Sequence, residues 1–69
     1  MPSFVIVTVD GTTYQEGEPA EHSPALAGIG AGEQVLESFV YVDGDVVLRY
    51  GSYRLRIPQT RIDCIAHSA

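Results

Sequence analysis

Between residues 38 and 57 the sequence leaves little choice of local structure. Phe39-Val-Tyr-Val42 runs into Asp43-Gly44, Asp45-Val-Val-Leu-Arg-Tyr50 runs into Gly51-Ser52, and Tyr53-Arg-Leu-Arg-Ile57 follows. Runs of β-branched and aromatic residues separated by two-residue turn signals specify a meander of two hairpins. Side chains in a strand alternate between faces, so the register can be followed along all three runs. One face gathers Phe39, Tyr41, Val46, Leu48, Tyr50, Tyr53, Leu55 and Ile57, and is expected to form the main core. The other gathers Ser38, Val40, Val42, Asp45, Val47, Arg49, Arg54 and Arg56, a valine patch beside an arginine cluster. The same register sets Arg49 directly opposite Arg54, and Arg56 opposite Val47.

The flanking segments extend this β pattern. Phe4-Val-Ile-Val-Thr-Val9 is apolar at both parities, which predicts a strand buried on both faces. Asp10-Gly11 then predicts a two-residue hairpin turn, with Thr12 opposite Val9 and Tyr14 opposite Val7. Residues 16–33 form a long connection holding Pro19, Pro24 and most of the glycines. Within it Ser23-Pro24 marks the start of a single helical turn over residues 24–27, with Gly28 as its stop. Residues 33–37 fit either a further helical turn or the start of the next strand. Pro58 breaks the meander, and residues 61–65 form a last short strand with Ile62 and Cys64 on one face.

The chain is thus expected to be one domain over residues 1–69: an N-terminal hairpin (3–15), a connecting loop (16–33) and a β-meander (38–65). The expected class is all-β, or β-rich α+β, with five to six strands in a small curled antiparallel sheet or an SH3-like barrel. The ordering of meander, proline-bearing turn and final strand is the one seen at the end of small SH3-like barrels. That likeness is of topology alone, since no SH3 ligand-binding signature is present. The resemblance between residues 4–11 and 39–44 fits two copies of one hairpin unit, but it is also what any Asp-Gly hairpin with β-branched flanks produces, and the second reading is the simpler.

Sixty-nine residues with a 45% hydrophobic composition can build a core but only a marginal one. Assembly with a partner, or a homodimer, would relieve that. A single cysteine, Cys64, rules out an internal disulfide. Together with a start that lacks a signal-peptide pattern and the lack of a long apolar run, it points to a cytoplasmic protein. The net charge is −5, and all eight acidic residues before Asp63 precede the first cation, Arg49. An acidic surface disfavours nucleic acid and anionic membrane as direct partners and suits a basic protein.

No residue pattern assigns catalysis, a cofactor or a metal. Gly28-Ile-Gly-Ala-Gly32 lacks the strand before and helix after that a phosphate-binding loop requires. Cys64 and His67 lack a third orienting group, and Cys64 is expected to be a small buried hydrophobe with His67 in the tail. His22, His67 and Cys64 are too few for a zinc site, and Asp43-Gly-Asp45 is a turn rather than a calcium loop. What remains are candidates for an interaction surface. Arg49, Arg54 and Arg56 with Val40 and Val47 form one, and the loop acids Glu16, Glu18 and Glu21 form another. Like charges facing across a ladder destabilise it, so the arginines need relief. An internal carboxylate such as Asp45, Asp63 or a loop glutamate is the simpler source, and an anionic or aromatic group on a partner is the functional one. The function expected from the sequence is a non-enzymatic protein-binding module, an adaptor or inhibitor docking on a larger macromolecule. One version is a bacterial or phage inhibitor that occupies a basic, nucleic-acid-binding surface. The alternative is an assembly component of a bacterial or phage particle.

Overall fold

In a computed structural model, which describes residues 3–68, the chain forms two three-stranded antiparallel sheets that contribute to one core. β1 (Phe4–Thr8), β2 (Thr13–Gln15) and β6 (Ile62–His67) form one sheet in the order β2-β1-β6; β3 (Ser38–Val42), β4 (Asp45–Tyr50) and β5 (Tyr53–Ile57) form the other in the order β3-β4-β5. Between β2 and β3 lie a 3₁₀ turn at Ala20–His22 and a short helix, α1 (Pro24–Gly28). The two sheets approach one another through the connection. Ala20 N–H donates to the Gln34 carbonyl (2.8 Å) and Leu36 N–H to that of Glu18 (2.9 Å) around the Pro19–Val35 bridge. This is the small β-rich antiparallel fold expected, with its six strands divided between two sheets where one curled sheet or a barrel was expected. No closed barrel is present among the described residues.

The meander folds in the expected register. Arg49 pairs with Arg54, Val47 with Arg56, and Val42 with Asp45 across a two-residue turn. Asp43 and Gly44 both have positive φ (53° and 86°), as a type I′ turn requires. Val46, Leu48, Tyr50 and Ile57 are buried, and Phe39, Tyr53 and Leu55 pack against them. They meet Phe4 and Ile6 from β1, Leu26 from α1, and Ala20, Ala31 and Leu36 from the connection. Tyr41 departs from the expected core. It shares the inner face but is 64% exposed, because it stands at the mouth of the gap between the two sheets.

Other expectations need correction. β1 buries Phe4, Ile6 and Thr8, while Val5 and Val7 are only half-buried, so the strand has one core face and not two. Its hairpin is one residue out of the expected register: Ile6 pairs with Tyr14 and Val7 with Thr13. The Asp10 carboxylate causes the slip. It accepts hydrogen bonds from the Thr8 hydroxyl and from Thr12 N–H (3.1 Å), which draws Val9 into the turn. Gly11 N–H then donates to the Thr8 carbonyl (2.9 Å), with Gly11 at φ 89°. A three-residue loop closed by a left-handed glycine replaces the two-residue one, and Val9 is left exposed. As a result Tyr14 points the same way as Ile6, toward the core.

α1 begins at Pro24 after Ser23, as expected, although the Ser23 side chain makes no capping bond. Its last residue is Gly28, but the left-handed glycine that closes it is Gly30 (φ 84°). Gly30 N–H bonds to the Ala27 carbonyl (3.1 Å) and Ala31 N–H to that of Leu26 (2.9 Å), a Schellman closure whose apolar contact is between buried Ala31 and Leu26. Residues 33–37 are neither a helical turn nor the first residues of β3, but the ladder connection already described.

At the C-terminal end a 3₁₀ turn (Gln59–Arg61) precedes β6. β6 pairs with β1 through a bulge: Thr8 faces Ile62, yet Val7 faces Cys64, so Asp63 is the extra residue. The bulge inverts the parity. Ile62 and Ile65, not Ile62 and Cys64, face inward, and Cys64 is exposed. His67 is not in a tail. It pairs with Phe4, and Ser68 N–H donates to the Ser3 carbonyl (2.8 Å).

Candidate functional site

Two surfaces result from this arrangement: the outer face of the meander, and the open edge of β3 with the groove behind it.

On the outer face Val40 (42% exposed), Val42 and half-buried Val47 lie beside Arg49, Arg54 and Arg56, as the strand pairing dictates. Two of the three guanidinium groups are satisfied within the molecule. Arg56 Nε donates to Asp45 Oδ2 at 2.9 Å. Arg54 Nη1 donates to the carbonyls of Gly51 (2.8 Å) and Tyr53 (2.9 Å) at its own turn. The Arg49–Arg54 opposition is thereby relieved by turning Arg54 away. Asp45 also accepts from Gln59 N–H (3.3 Å), so it ties β4, β5 and the 3₁₀ turn together. The Arg56 guanidinium, and then the Gln59 amide, hold its carboxyl below the usual range.

The loop acids lie apart from one another in role. Glu16 Oε1 accepts from Ser3 N–H (2.8 Å), which lowers its pKa. Glu18 is half-buried and uses its backbone in the connection, whereas Glu21 is exposed in the 3₁₀ turn.

The second surface was not singled out by the sequence. β3 is the terminal strand of its sheet. The two-residue turn makes Val42 and Asp45 a hydrogen-bonded pair, so Ser38, Val40 and Val42 exchange bonds with β4. The N–H and C=O groups of Phe39 and Tyr41 therefore point away from the sheet. Three of the six exposed large apolar side chains among the described residues, Val40, Tyr41 and Val42, are consecutive on this strand. β3 holds no charge, no proline and no bulge, the features that ordinarily blunt an edge. The other edges differ. β5 carries Arg54 and Arg56, ends at Pro58 and lies beside α1; β2 is three residues long; β6 carries the Asp63 bulge.

Behind the β3 edge is a groove of about 580 Å³ lined by Tyr41, Gly44 and Val46 on one side and by Gln59, Ile62, Asp63 and Ile65 on the other. Its apolar floor is continuous with the core. Phe39 connects the two, with its ring 4.8 Å from that of Phe4 and 5.7 Å from that of Tyr41, edge-on in both cases. Alternation could have found the surface, because Tyr41 is the last inward residue of a terminal strand. Missing from the sequence was which strand would be terminal.

Among the described residues no cluster of three metal-ligating side chains occurs. The His22 side chain, one of the soft-ligand candidates, lies outside the described residues. Cys64 and His67 are three apart on one strand and project to opposite faces. In the glycine-rich segment the N–H groups of Ile29, Gly30 and Ala31 are all bonded to α1 carbonyls, so they are not available to cradle a phosphate. No helix of the described residues is long and apolar enough to cross a membrane. Comparison of the chain with protein-family models, with curated proteins and with solved structures finds no match.

Proposed function

We propose that this chain is a non-enzymatic protein-binding module, an adaptor or inhibitor that engages a larger macromolecule by accepting a strand at its β3 edge. The observation that carries this is the unprotected apolar edge itself: three exposed consecutive residues, Val40-Tyr41-Val42, on a terminal strand without charge, proline or bulge. Strand addition draws affinity from main-chain hydrogen bonds and selectivity from pockets for alternate side chains, and the adjoining groove supplies such a pocket. The satisfied arginines of the outer face serve the meander first; Val40 and Val42 bring that face to the rim of the contact. An exposed thiol at Cys64 suits a reducing, cytoplasm-like compartment.

Self-assembly through the same edge is the competing reading. Antiparallel pairing centred on Val40 would set Glu37 of one copy against Asp43 of the other, twice, between molecules that each carry −5. Like charges directly opposed are destabilising, which favours a different partner.

Tyr41→Pro tests the module. Its N–H points outward, so proline there blocks the edge without removing a β3–β4 bond. A partner captured from the native host by the wild-type chain and lost with folded Tyr41→Pro supports strand addition at β3. Equal capture by both contradicts it.

A further inference from the structure

The charges around the β3 edge indicate the class of strand it takes. Glu37 and Asp43 bracket β3, six positions apart (43 − 37), and Asp63 lies on the opposite wall of the groove. Among the described residues the one ion pair is Arg56–Asp45, so no cation among them pairs with these three carboxylates; Arg61 lies near Asp10. Arg54 and Arg56 are engaged at their own turn and at Asp45. Arg49 stands on the outer face beside Ser38.

We propose that the β3–β6 groove takes an extended, basic-flanked segment of a partner protein, added antiparallel to β3. Its alternate apolar side chains enter the groove beside Tyr41, Val46, Ile62 and Ile65, and its lysines or arginines meet Glu37, Asp43 and Asp63. This rests on the protein-binding reading and deepens it by naming the partner's chemistry. In this register the residues opposite Phe39 and Tyr41 are both the hydrogen-bonded ones and the inward-facing ones. The segment therefore needs apolar residues two apart at its centre and cations six apart at its ends.

The test is a nuclear magnetic resonance titration of the full chain with two blocked peptides, Lys-Thr-Val-Thr-Val-Thr-Lys and Glu-Thr-Val-Thr-Val-Thr-Glu. The lysine peptide is expected to bind at least about tenfold more tightly at low salt, with that advantage shrinking as salt is added. Its binding should slow exchange at the Phe39 and Tyr41 amides, and should be lost when the two valine amides are N-methylated. The combined variant Glu37→Gln, Asp43→Asn, Asp63→Asn keeps the turn, since asparagine accepts positive φ, and should lose the lysine preference while still folding. Equal binding of both peptides overturns the basic class but leaves docking at β3 intact. Binding of neither overturns both. Dimerisation of the free chain by sedimentation, abolished by Tyr41→Pro, also overturns the inference, because the edge would then be occupied by a second copy.

Discussion

Asp10, Glu16 and Asp45 each accept hydrogen bonds that only the folded chain can offer. The Thr8 hydroxyl and the Thr12 amide bring Asp10 down to about 2; the Ser3 amide lowers Glu16, and Arg56 with Gln59 lowers Asp45. All three pKa values are depressed in the folded state. The unfolded chain therefore binds more protons as pH falls below about 4, and stability is lost from there down toward about 2. A melting temperature that is level above about pH 5 and falls through that window is expected, with a shallower fall for Asp10→Asn. Tyr50 is the opposite kind of residue. Its side chain is fully buried and its hydroxyl has no hydrogen-bond partner, so burial pushes its pKa up. An unmatched buried hydroxyl costs about 1–3 kcal/mol. Tyr50→Phe is accordingly expected to leave stability unchanged or raise it by about 1 kcal/mol in urea denaturation. Leu48→Ala, at a fully buried position of β4, should cost about 2–5 kcal/mol, enough to leave much of so small a domain unfolded.

At the scale of elements, the two Asp-Gly hairpins show what local sequence can and cannot decide. Asp43-Gly44 closes as the two-residue turn its composition predicts. Gly44→Ala should cost about 1–3 kcal/mol, because the position has φ 86° and an added Cβ would stand 3.2 Å from Gln59 Oε1. Asp10-Gly11 has the same two residues but closes one residue longer: Thr8, two residues before Asp10, gives its carboxylate a hydroxyl bond alongside the Thr12 amide, whereas the residue two before Asp43 is Tyr41. The dipeptide was legible; the side-chain competition beside it was not. β6 is similar. Its existence could be read from Ile62 and Ile65, but the bulge at Asp63 inverted which residues faced inward, and with them the environment of Cys64. Periodicity assumes an unbroken ladder, and one extra residue defeats it.

For the whole molecule, alternation within the meander located the principal core and the Arg49–Arg54 opposition; the carboxylate expected to relieve it, Asp45, pairs with Arg56 instead, and Arg54 turns to the carbonyls of Gly51 and Tyr53. The candidate contact surface was only half legible. Val40 and its neighbours could be placed on an outer face, but the edge of β3 depends on the order of strands in space. That order is set by long-range packing of β1 and β6 against the meander and by the pairing of residues 17–20 with 34–36. The pairing at residues 34–36 ends before β3 begins at Ser38, and β3 is left as the terminal strand of its sheet. A chain of 69 residues with a marginal core would ordinarily cover Tyr41 if nothing else were to do so.

Amide hydrogen exchange at Phe39 and Tyr41, resolved residue by residue in the free protein, addresses that openness most directly. Rapid exchange at these two positions is predicted while Val40 and its β4 partner Val47 stay protected, with all four becoming slow once a strand is bound. Strong protection of Phe39 and Tyr41 in the free monomer would contradict the account, because the β3 edge would already be closed.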